Sequence, residues 1–244
     1  MQLIEKAVEC QGSRVINMHS YQQLLWQRRL MAVATLLTII GIFAFLAAVF
    51  HPDWAILDFV NTDLQKVNVR LGVWGEWRTL NTTNKSEYTP HFPEPPGGRI
   101  LRLADEDIKH YYRAQAAFCV ISLVIMVCNN AFALWTFTHH RYIYKRLVAG
   151  IHVFTAMCIV VTMEVLTNSV DEWNANIAEK YRNNQEWDFS AVQRVGLGYY
   201  LAGTVVIIYI FAAICFFIAS HKQKGLRAAT SEFEIEDREI EIGR

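Results

Sequence analysis

The sequence predicts an all-α membrane bundle with a small β cap. It is a left-handed bundle of four transmembrane helices, with an extracellular antiparallel sheet between helices 1 and 2. Three observations predict it. Four apolar runs each reach the roughly 20 residues that a helix needs to cross a bilayer core of about 30 Å. The first connecting loop contains a run of period-two alternation, the mark of a strand with one buried face. Finally, the 244 residues are 53% hydrophobic and 19% charged, close enough to a globular average that the clustering, not the total, sets the class.

Residues 1–29 form an N-terminal segment that closes on Arg28 and Arg29. The first crossing, residues 30–50, carries no charge. It begins too far along the chain, and runs too long, for the apolar stretch of a cleaved signal peptide, so a retained helix is expected. The loop at 51–113 follows. Its "WAILDFV", 54–60, is rich in β formers and predicts a strand. In "KVNVRLGVWGEWR", 66–78, Val67, Val69, Leu71, Val73 and Trp77 alternate with Lys66, Asn68, Arg70, Glu76 and Arg78, interrupted by Trp74. One strand with an apolar face is predicted, with room for a bulge at Gly72 and Gly75. "PHFPEPPGG", 90–98, reads as a loop.

Helix restarts at "ADEDIKHYYRAQ", where Asp105, Glu106 and Asp107 complement the dipole of the first turn. It runs into the second crossing, 114–137. A third crossing, 147–167, carries one acid, Glu164, and after a second outside loop at 169–195 the last crossing spans 196–220. The tail, 221–244, alternates acids with Phe233, Ile235, Ile240 and Ile242. It is too short and charged to fold alone, and offers an extended segment to a cytoplasmic partner.

Basic residues set the orientation. Arg28 and Arg29, then Arg141, Lys145 and Arg146, then Lys222, Lys224 and Arg227 flank the crossings on one side, which the positive-inside rule places in the cytoplasm. Both termini are therefore expected inside and both loops outside, in the plasma membrane. Two glycosylation tripeptides, at Asn81 and Asn84, fall in the loop assigned to the outside. Neither outside loop contains a cysteine; four of the five lie in membrane runs and Cys10 precedes them. A secreted-side domain is normally stapled by disulfides. This one must rely on packing, and Trp54, Trp74, Trp77, Trp173 and Trp187 all fall outside. Each ring can bury 150–250 Å², so a tryptophan-rich sheet core is expected, with Trp173 and Trp187 as second-loop contacts.

No catalytic constellation emerges, and no metal, cofactor or nucleic-acid partner is expected. His139 and His140 sit in a basic loop, while His152, Asn129 and Asn130 suit hydrogen bonds between helices. Glu164 invites a pairing or partner role because ionisable groups in a membrane are costly. Gly198 and Ala202, and Ala149 with Gly150, offer small surfaces for close helix packing or for lateral contact with another membrane protein.

These features resemble the claudin superfamily of claudins, peripheral myelin and epithelial membrane proteins, and gamma-type channel subunits. Pro52-x-Trp54 after helix 1 is similar to the P-x-W that opens the claudin loop, and Gly72-Val73-Trp74 to the family's G-L-W. Gly75-Glu76-Trp77-Arg78-Thr79 resembles the G-L-W-R-T of the channel-subunit branch. "GLGYYLAG", from Gly196, resembles the start of the last helix in the epithelial branch. The nearest likeness is to the divergent group called Clc-like. The resemblance covers about 30–220 and implies a non-enzymatic protein acting by lateral and cell-contact association, as an adhesion or paracellular-barrier protein at junctions. The alternative is an auxiliary subunit of an ion channel or receptor. The chain departs from the family where two cysteines are usual: Trp77 and Leu80 stand there. Such a disulfide is worth about 2–5 kcal/mol, and buried Trp77 is expected to offset part of it. Arg244 does not suit a PDZ pocket.

Overall fold

A computed structural model describes residues 2–60, 66–80, 85–92, 105–138, 142–172 and 192–220. Four helices dominate: α1 (Gln2–Phe50), α2 (Asp105–Trp135), α3 (Tyr142–Glu172) and α4 (Leu197–Ala219). Each contains a stretch of 23 to 27 residues long and apolar enough to cross a membrane. Their outward faces are apolar too: Ile40, Phe43, Val124, Met157 and Ile207 are all exposed. Helices that are apolar all round do not suit water, and here lipid is the matching solvent. α4 packs between α1 and α3, and α2 packs chiefly on α3.

Five antiparallel strands form one sheet at the end of the bundle where α1 stops: β1 (Ala55–Val60), β2 (Lys66–Leu71), β3 (Gly75–Leu80), β4 (Lys85–Pro90) and β5 (Val192–Val195). Their order is β4-β3-β2-β1-β5. The first four come from the connection between α1 and α2, where the sequence predicts a sheet but offers only two strands, 54–60 and 66–78. The fifth comes from the connection between α3 and α4 and pairs with β1 from Ala55↔Val195 to Asp58↔Val192. Sequence reading missed β5, which is only four residues long, and β4, whose "KSEYTP" is poor in β formers. Pro90 is tolerated because β4 is an edge strand.

The run 66–78 is not one strand. The chain reverses at Gly72–Trp74, where the Gly72 amide donates to the Gly75 carbonyl over 2.9 Å, and Leu71 pairs with Glu76. Paired residues share a face of the sheet. Leu71 and Glu76 are five apart, so the alternation changes phase across the turn. Val67, Val69 and Leu71 remain buried, but they share their face with Glu76 and Arg78, while Trp77 sits opposite Arg70 on the other face.

One buried cluster joins sheet and bundle. Phe45, Val49, Met126, Ile159 and Tyr209 of the helices continue without a break into Trp54, Ala55, Leu71 and Val73. A second cluster, around Met31, Ala34, Ala149 and Phe216, closes the opposite end. The cysteines described, Cys119, Cys128, Cys158 and Cys215, are free thiols.

Candidate interaction surfaces

Trp54 holds the sheet to the bundle. Its indole Nε1–H donates over 2.6 Å to the Ala48 carbonyl at the end of α1, which also accepts from the His51 amide (3.0 Å). Its amide donates to the Leu71 carbonyl (2.9 Å), and its own carbonyl accepts from the Gly196 amide (3.0 Å). The Gly198 amide donates to the Asp53 carbonyl over 2.8 Å. α4 can come this close only because it opens with glycines. A Cβ on Gly198 would lie 2.6 Å from Trp54 Cδ1, and one on Gly196 would collide with the Asp53 carbonyl. The two motifs Pro52-x-Trp54 and Gly196-x-Gly198 are therefore halves of one joint. Pro52 lies next to Gly72, which brings the β2–β3 turn onto the same joint.

The two faces of the sheet differ in character. On one, Val67, Val69 and Leu71 are buried with Glu76, which is only 4% exposed; Arg78 Nε donates to Glu76 Oε1. Residues two apart on a strand share a face, so the pair is built into β3. On the other face, one row crosses all five strands: Tyr88, Trp77, Arg70, Ile56 and Arg194. Trp77 and Tyr88 pack with ring centroids 4.9 Å apart, yet remain 40% and 44% exposed. Beside them Asp58 accepts from Asn68 Nδ2 and from Arg194, each over 2.7 Å. Among the described residues, β4 forms one end of the sheet.

Inside the bundle, polar side chains tie all four helices together. Thr38 of α1 donates to Asn130 Oδ1 of α2 (2.7 Å), and Asn130 Nδ2 donates to the Tyr209 hydroxyl of α4 (3.2 Å). The neighbouring Asn129 Nδ2 lies 2.9 Å from His152 Nδ1 of α3, whose ring meets Tyr209 edge-on at 5.3 Å. Buried polar groups in a membrane need such partners, because neither water nor lipid supplies them. Among the described residues no group of His, Cys, Asp and Glu is placed to hold a metal.

The residues singled out from sequence sort accordingly. Pro52, Trp54 and Gly72 belong to the joint. Trp74 is half-buried and stacks on Phe50 at 6.4 Å. Trp77 differs from expectation: it is an exposed side chain, so its burial does not stand in for the absent disulfide, and of Trp54, Trp74 and Trp77 only Trp54 is fully buried. Arg78 is engaged with Glu76. Gly198 and Ala202 face inward, to Trp54 and to the shared core. Ala149 is buried, whereas Gly150 is exposed. Glu164 lies on the exposed side of α3. Asn81, Asn84, Trp173 and Trp187 lie outside the described residues. Tyr88 and the β5 residue Arg194 went unnoticed, since only strand pairing brings Tyr88 beside Trp77 and Arg194 beside Ile56.

Residues 39–218 match the protein family described as PMP-22/EMP/MP20/Claudin tight junction. The chain belongs to this family. The match runs from α1 to α4 and includes the sheet and its joint, so the chain is a claudin-like, multi-pass membrane protein. No curated protein matches it.

Proposed function

We propose that this claudin-like protein works by association, without catalysis, as an adhesion or barrier protein where plasma membranes meet. The sheet lies outside and both termini lie in the cytoplasm, as the short basic flanks indicate. The observation that carries this reading is the exposed Trp77–Tyr88 pair on the outward row of the sheet. Large aromatics flanked by arginine are the side chains that most often anchor protein contacts, and the joint at Trp54 holds the sheet as a fixed platform for them. The test is a mixed culture of cells carrying two differently tagged copies. Both tags should concentrate where two expressing cells touch. Trp77→Ala with Tyr88→Ala should abolish that enrichment while leaving the surface amount unchanged. Uniform distribution of the unaltered protein would overturn the reading.

A second reading, an auxiliary subunit of an ion channel or receptor, is supported by the Gly75–Thr79 stretch and by the glycosylation tripeptides beside it. Recovery of a channel subunit in fixed stoichiometry after mild detergent extraction would favour it over the first.

A further inference from the structure

Basic residues converge where α1, α3 and α4 meet, at the end of the bundle away from the sheet. The buried cluster that closes this end joins Met31 of α1, Val148 of α3 and Ala219 of α4. Arg28 precedes Met31 by three residues, and Lys145 precedes Val148 by three. Residues three apart share a helix face, so both side chains continue the packed faces one turn beyond the cluster. Lys145 is half-buried, and its Nζ donates to the Ala219 carbonyl at the end of α4 over 3.4 Å. Arg28 lies close enough for its charge to act on that ammonium. Their sequence neighbours Arg29 and Arg146 are exposed.

The sequence brings no acid to this end. Residues 10–52, 108–163 and 189–231, which include this end of every helix, contain no Asp or Glu. Like charges held together beside an apolar core repel one another, and an anion seated between them reverses that sign. Lys145 has two further N–H donors to offer it, and an arginine presents five in all.

The level of these cations in the membrane narrows the kind of anion. Trp135 of α2 packs on Tyr144 of α3 with centroids 4.8 Å apart, and Trp26 of α1 is exposed. Trp and Tyr collect at the level of the lipid headgroups. Lys145 follows Tyr144 directly and Arg28 lies two residues after Trp26, so the charges sit in that layer. Basic pockets between helices at the cytoplasmic face suit phosphorylated headgroups. A phosphodiester alone brings one negative charge against four cations, whereas each phosphomonoester adds about 1.5 to 2.

From this we infer that the ends of α1, α3 and α4 bind one phospholipid whose headgroup bears phosphomonoesters, held between Arg28 and Lys145. The site lies at the opposite end from the sheet and goes beyond the association reading, from which it takes only the side of the membrane.

Native mass spectrometry of the full chain from micelles, with phosphatidylinositol bisphosphate and phosphatidylserine added in equal amounts, tests this. A single adduct of the bisphosphate lipid should form, bound about tenfold tighter than the serine lipid. Lys145→Gln and Arg28→Gln should each weaken it about fivefold. Lys145→Arg, which keeps the charge, should keep the adduct, as should Lys66→Gln on the sheet. Equal binding of the two lipids, or an undiminished adduct in both glutamine variants, would overturn the inference. Displacement by an equal amount of soluble inositol trisphosphate would also overturn it, by making the occupant a free phosphate. An adduct seen only after residues 232–244 are deleted would do the same, by showing that the acidic tail fills the site. Micelles bring no second cell, so the outcome here and border enrichment in mixed culture stand or fall separately.

Discussion

Trp54 brings three segments of backbone together around one indole, and the consequences can be measured one side chain at a time. Trp54→Phe keeps much of the packing but removes the bond to the Ala48 carbonyl. The Ala48 carbonyl keeps the His51 amide as a donor, so the lost bond should cost about 1 kcal/mol, read as a fall in Tm of about 2–4 °C in detergent. Gly198→Ala forces a methyl group against the indole; overpacking of this kind costs about 1–3 kcal/mol, and the same melt should show it. Trp77→Ala should leave Tm within about 2 °C, since its side chain is 40% exposed and lies on the sheet face opposite the buried Val67, Val69 and Leu71, while removing half of the outward aromatic pair. The importance of Trp54 was legible as a motif, but its mechanism was not. Its partners Gly196 and Gly198 lie on the last helix, and no local pattern links the two. For Trp77 the local pattern pointed the wrong way, because counting alternate residues across 66–78 assumes that the chain does not turn.

Strands and helices differ in how far the sequence disclosed them. The four crossings were legible because lipid demands long apolar runs, and that demand is local. β1 and β2 were legible through β-formers and alternation. β4 and β5 were not, because each is held by pairing with a stronger neighbour rather than by its own composition. The turn at Gly72–Trp74 also gives the charged residues of β3 a role that alternation had denied them: Glu76 and Arg78 form a pair on the buried face. Glu76→Ala should therefore destabilise the protein more than Trp77→Ala does, by about 1–3 kcal/mol, when both are followed by thermal melts. Between helices, Asn129 and His152 were expected to bond and do so with one another. A double-mutant cycle with Asn129→Ala and His152→Ala should return a coupling of about 0.6 kcal/mol, the average for hydrogen bonds inside membrane bundles; additive losses would show that their contact contributes nothing.

Taken whole, the molecule replaces a cross-sheet disulfide with a shared core. Phe45, Val49 and Tyr209 belong to the bundle and Leu71 and Val73 to the sheet, and with Trp54 they form one hydrophobic cluster at this end of the molecule. That continuity could not be read from sequence, since it depends on β1, the β2–β3 turn and α4 converging on one point. It is also what lets an exposed aromatic pair serve as a contact surface: a loosely tethered sheet would lose ordering entropy on every encounter. Hydrogen–deuterium exchange on the full chain in micelles tests this most directly. The account predicts that the backbone amides of Ala55–Val60 and Lys66–Leu71 that pair within the sheet exchange as slowly as those in the middle of α4, and that Gly198→Ala speeds both strands together. Exchange of those strands within seconds in the unaltered protein, with the helices still protected, would contradict it.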